Sequence, residues 1–137
     1  MARKSRFEEK LDHALQGVVQ GVTPFAAARG DLEGIVRTLE RRFATGKAHG
    51  KLQFRVVPGF QVNIGQQMKV VARIPNQHFE DVLFRAYVLP QGYPVGLDLY
   101  GEQPVPCGNA EELENRIVEF ISRPEVNDRM LQYRDFV

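Results

Sequence analysis

After His49-Gly50 the spacing of apolar residues switches from about 3.6 to 2 and stays at 2 as far as Tyr100. Leu52, Phe54 and Val56 alternate with Lys51, Gln53 and Arg55. Phe60, Val62 and Ile64 alternate with Gln61 and Asn63. Met68, Val70, Ala72 and Ile74 alternate with Lys69, Val71 and Arg73, and Val95, Leu97 and Leu99 with Gly96, Asp98 and Tyr100. Successive side chains on a strand point to opposite faces, so this pattern describes a sheet with one packed face and one wet face. Pro58-Gly59, Pro75-Asn76 and Pro90-Gln91-Gly92 read as turns between the runs. Connections this short exclude parallel crossovers, which leaves an antiparallel meander of four or five strands. The segment 82–89 alternates Val82, Phe84, Ala86 and Val88 with Leu83, Arg85, Tyr87 and Leu89, reads as apolar on both faces, and is expected at the centre of the sheet.

Helical spacing frames the strands. In residues 6–18, Phe7, Leu11, Ala14, Leu15 and Val18 share one face and Glu8, Glu9, Lys10, Asp12 and Gln16 the rest. Thr23-Pro24 is a helix start: threonine accepts from free amides, and proline lacks an N–H where none is needed. Phe25, Ala28, Leu32, Ile35, Leu39 and Phe43 then form a seam. Gly30 and Gly34 interrupt it. Either the helix breaks at Gly30-Asp31, with Asp31 as a second cap, or the glycines let the first helix approach closely. Gly46 closes the element. Asn109-Ala-Glu-Glu112 is a capping box opening a helix that buries Leu113, Ile117, Phe120 and Ile121, and Ser122-Arg-Pro-Glu125 resembles a second one. The order α-α-β-β-β-β-(β)-α-α implies a two-layer α+β sandwich with helices at both chain ends. Residues 1–137 form a single domain, with N-terminal helices over ~6–46, sheet over ~51–100 and C-terminal helices over ~110–135.

Composition narrows the class. A chain with 43% hydrophobic and 26% charged residues is globular rather than disordered. No apolar run approaches the ~18 residues of a membrane span, and the charged first ten residues are no secretory signal. Cys107 is the single cysteine, so no intrachain disulfide forms. These features point to a cytoplasmic protein with no membrane association. The net charge of +1 conceals an asymmetry: residues 1–55 carry 11 Lys+Arg against 6 Asp+Glu, and the remainder carries 7 against 11. Such segregation suits a polyanion at the basic end, or attraction between the two halves.

Candidate chemistry is sparse. Cys107 lies in Pro-Val-Pro-Cys-Gly-Asn, just before the cap of a helix, where the positive end of the helix dipole favours thiolate. The competing reading is a small apolar residue filling a gap. His13, His49 and His78 have no ligand partners at metal-binding spacing, so neither a metal nor another cofactor is expected. His13 is expected to pack beside the apolar seam, and the other two to lie in exposed loops. Glu111 and Glu112 suit the first turn of a helix, and Asp98 the wet face of the sheet. Arg37, Arg41, Arg42 and Lys47 cluster near a helix C-terminus. They complement its dipole, or form a polyanion-binding patch with Arg3, Lys4, Arg6 and Lys10. No phosphate-loop or dinucleotide-binding glycine pattern is present. The lightly charged run Phe60-Gln-Val-Asn-Ile-Gly-Gln-Gln-Met could pair edge to edge in a homodimer.

Three readings follow. The first is a small non-enzymatic protein-interaction or regulatory module that binds a protein partner or itself. The second is nucleic-acid binding through the basic N-terminal half. The third is an enzyme with Cys107 as nucleophile.

Overall fold

Five antiparallel strands follow one another across the sheet in chain order, in a computed structural model that describes residues 5–11, 23–62, 65–101 and 103–137. The strands are β1 (Gln53–Val62), β2 (Gly65–Ile74), β3 (Phe79–Leu89), β4 (Gly92–Asp98) and β5 (Val105–Cys107). They are preceded by α1 (Pro24–Phe43) and followed by α2 (Ala110–Ile121) and α3 (Pro124–Phe136). Residues 6–11 are helical as well. The rest of the helix expected over 6–18 lies outside the described residues. The α+β meander with helices at both ends is therefore the observed architecture.

Two strand assignments differ from the alternation pattern. Pro58-Gly59 makes no turn. It lies inside β1, where the register with β2 shifts between Pro58 and Gln61. β1 is an edge strand, where a proline without N–H breaks no ladder, and the irregularity absorbs the extra residue. The fifth strand is Val105–Cys107, a stretch that the alternation pattern does not mark, paired with β4 through Val95 and Cys107. Three residues are too few for periodicity to register. β3 occupies the middle of the sheet, as its two apolar faces imply.

The core lies between the helices and one face of the sheet. Phe54, Met68, Val70, Phe84, Ala86, Val95 and Leu97 are buried there against Ala28, Leu32 and Val36 of α1, Leu113, Ile117 and Phe120 of α2, and Met130 of α3. Phe84 and Phe120 meet edge to face at 5.8 Å between centroids. The opposite face carries the alternate residues: Lys69 sits beside Arg85, and Arg85 beside Asp98. Asp98 Oδ1 accepts from the backbone N–H of Gly101 at 2.8 Å, which gives this carboxylate a turn-forming role.

α1 is one continuous helix through Gly30 and Gly34, capped by Thr23, whose Oγ1 accepts from the N–H of Ala26 at 3.0 Å. It ends at Phe43, before Gly46. Its buried line is Ala28, Leu32 and Val36, while Ile35 and Leu39 are only partly buried. Leu39, a member of the seam expected from the sequence, lies on the flank because the sheet contacts α1 along the adjoining line. The cap of α2 forms as expected: Asn109 Oδ1 accepts from the N–H of Glu112 at 2.9 Å, and Glu112 reaches back to the N–H of Gly108 at 2.5 Å. The second capping box does not form. Ser122 Oγ donates to the carbonyl of Val118 at 2.7 Å, and α3 starts at Pro124 without a side-chain cap.

Candidate functional site

α1 is pinned to the sheet at both ends. Near its start, Gly92 approaches so closely that a Cβ there would lie 2.5 Å from the Pro24 carbonyl oxygen, and its φ of +84° also suits glycine. One residue on, the Tyr93 hydroxyl donates to Asp31 Oδ2 at 2.6 Å. Burial first, then this hydrogen bond, pushes the Tyr93 phenol well above its ordinary range. Near the end of α1, Glu40 Oε1 accepts from the Phe54 N–H at 2.9 Å and from Arg55 Nη1 at 2.6 Å, which ties the helix to β1.

With α1 held in this way and α2 packed through Phe120, a groove of about 580 Å³ is left between the two helices. Gly30, Gly34, Ile35 and Leu39 form its α1 wall, and Ile117, Val118 and Ile121 its α2 wall. Its charged residues are the carboxylates Asp31 and Glu114. Val118 is 63% exposed, an apolar side chain on the open lip. Among the described residues nothing lies within 4 Å of a Cβ placed on Gly30, and only Arg37 Nη2, at 3.9 Å, approaches one placed on Gly34. The glycines therefore leave a recess in the α1 wall. An apolar trough with an acidic rim, floored by two helices, can receive the apolar face of a third.

The residues singled out from sequence lie elsewhere. Cys107 is completely buried at the end of β5, and its Sγ donates weakly to the Val105 carbonyl oxygen at 3.9 Å. Burial pushes its thiol up, which outweighs the opposite influence of Arg116. The helix N-terminus thus does not lower the pKa of this thiol, and His49 and His78 sit exposed in other loops. His13 lies outside the described residues. Arg37, Arg41, Arg42 and Lys47 are all exposed along the end of α1 and the turn after it, as are Lys51 and Arg55 further on. Across residues 37–55 these cations face one carboxylate, Glu40, already engaged by Arg55. Among the described residues no group of three or more His, Cys, Asp or Glu side chains could hold a metal ion. No described helix is long and apolar enough to cross a membrane.

The groove was missed in the sequence because its two walls are 75 or more positions apart, from Leu39 to Glu114. One signal was present: Val118 widens the apolar arc of α2 beyond the line Leu113, Ile117 and Phe120 that the sheet covers. In comparisons with known proteins, no family model, no curated protein and no solved structure matches this chain.

Proposed function

We propose that the chain is a small non-enzymatic protein-interaction module whose docking surface is the groove between α1 and α2. The observation that carries this reading is the apolar trough itself, which none of the described residues covers, with Val118 on its lip and the recess at Gly30 and Gly34. The occupant is an amphipathic helix with apolar residues three and four apart and cations at its flanks, which meet Asp31 and Glu114. The α1 wall runs from Gly30 to Leu39, long enough for between two and three helical turns. A cytoplasmic setting agrees with a lone, buried thiol. Fluorescence polarisation of a labelled amphipathic peptide, with leucines four apart and lysines on its polar face, tests this. Val118→Glu is expected to weaken binding at least ~10-fold, as one buried apolar contact exchanged for an unpaired charge requires. Equal affinity for the parent and the variant would place the interaction elsewhere.

A second reading is favoured by a separate observation, the exposed cations Arg37, Arg41, Arg42, Lys47 and Lys51 at one end of the molecule. They suit a polyanion such as nucleic acid, bound through phosphate charge rather than base contacts. Binding of single- or double-stranded DNA at low salt should fall steeply as salt rises, and fall further in Arg41→Glu/Arg42→Glu. Salt-independent binding, or none, would remove this reading.

A further inference from the structure

We infer that the face of the sheet opposite α1, α2 and α3 binds single-stranded nucleic acid, with phosphates on Lys69 and Arg85 and a base stacked on Tyr87; this deepens the polyanion reading and rests on it. Lys69 of β2 and Arg85 of β3 stand directly opposite each other on two inner strands, on the face turned away from the core. Like charges placed so oppose folding. Among the described residues neither side chain lies within ion-pair reach of a carboxylate, and neither donates a hydrogen bond. Arg55 and Arg73 on the same face do have carboxylates, Glu40 and Glu80. Asp98, next to Arg85 in register, spends Oδ1 on the Gly101 N–H. Lys69 and Arg85 are both half-buried, so their charge sits against the sheet rather than at the end of a wholly solvated arm. A guanidinium with its donors unspent suits a phosphate, which it meets two bonds at a time.

The neighbouring row of side chains favours nucleic acid over other polyanions. Gln67 and Tyr87 pair with each other two residues along, and so share the face of Lys69 and Arg85. Gln67 is buried, and its Nε2 donates to the Tyr87 hydroxyl at 3.1 Å, which holds a half-buried aromatic ring beside the two cations. A ring next to cations accepts the planar face of any base, whereas an acidic peptide offers it carboxylates alone. The breadth of the sheet selects a single strand. Five strands about 4.8 Å apart span about 19 Å, too broad to enter a major groove about 12 Å wide, while an unpaired strand can lie across them with its bases turned to the protein.

Fluorescein-labelled oligothymidylate is titrated into the full chain and its variants, with anisotropy read at several salt concentrations. Lys69→Gln/Arg85→Gln removes both charges and keeps polar side chains in place. It is expected to weaken binding at least ~10-fold and to flatten the slope of log K against log salt by about 1.4, the share of two single-strand phosphates. Its urea midpoint should hold or rise, because two opposed charges are gone; a fall would make the pair a structural contact and overturn the inference. Tyr87→Phe keeps the ring and should bind as the parent does, while Tyr87→Leu should bind at least ~10-fold more weakly. Equal losses in the two would overturn the stacking. Binding that falls in Arg41→Glu/Arg42→Glu but not in Lys69→Gln/Arg85→Gln overturns the inference and leaves the polyanion reading at the end of α1. Absence of binding removes both. Displacement by polyglutamate as readily as by unlabelled oligothymidylate, at equal charge concentration, would assign the face to an acidic polypeptide instead.

Discussion

Arg129 of α3 donates through Nε to Asp81 of β3 at 3.0 Å, and its Nη2 also reaches the Val82 carbonyl oxygen at 2.9 Å. Asp81 accepts from the Tyr133 hydroxyl one turn further along α3 as well. One carboxylate thus fastens the last helix to the central strand, beside the ring cluster of Phe79, Tyr133 and Phe136.

Removing that acceptor strands a guanidinium and a largely buried phenol together. Asp81→Ala is expected to cost about 1–3 kcal/mol, the penalty for leaving hydrogen-bonding groups unsatisfied, and Asp81→Asn less, because an amide oxygen can still accept. Urea denaturation followed by circular dichroism measures both. An unchanged midpoint in Asp81→Ala would show that α3 is held by its apolar contacts alone.

The same cluster sets an alkaline limit. Burial, then the hydrogen bond to Asp81, pushes the Tyr133 phenol well above its ordinary value. The unfolded chain releases that proton near pH 10 while the folded chain retains it. Its contribution is therefore complete below pH 10 and is lost as pH rises through the folded value, at no more than about 1.4 kcal/mol per pH unit for one group. Stability of the parent measured from pH 9 to 11 should fall faster than that of Tyr133→Phe. Parallel profiles would contradict the assignment.

Phe84 and Phe120 join β3 to α2 with both rings almost wholly buried. Truncating either to alanine should cost ~3–5 kcal/mol through lost burial and the cavity left behind. Because the pair forms one contact, the double variant should cost less than the two single losses added together, which a double-mutant cycle in urea would reveal.

Cys107 should resist alkylation at neutral pH in the folded protein, since its thiol is buried and its pKa is raised. Its modification rate should follow denaturant concentration in step with global unfolding. Rapid modification without denaturant would mean that β5 opens locally.

The sheet was legible because alternation over runs such as Met68 to Ile74 repeats often enough to identify a face, and short connections leave only an antiparallel order. The caps at Thr23 and Asn109 were legible because each is a contact between neighbours in the chain. Ser122 shows where such reasoning fails: the residue types of a capping box were present, but its hydroxyl found the Val118 carbonyl first.

What the sequence by itself determined is the set of properties carried by local contacts and periodicity: the meander and the helices at either end, whereas alternation misplaces Phe60, which is exposed, and Val71, which is buried. Only the tertiary structure decided that Pro58-Gly59 bends an edge strand, that Val105–Cys107 becomes a fifth one, and that burial governs Cys107. It also decided that Ile35 and Leu39 form the wall of a groove whose other wall is Val118. A helix has apolar flanks whatever lies beside it. Which flank is buried depends on where distant segments come to rest, and that is fixed by clamps such as Tyr93 on Asp31 and Arg129 on Asp81, between residues 62 and 48 positions apart.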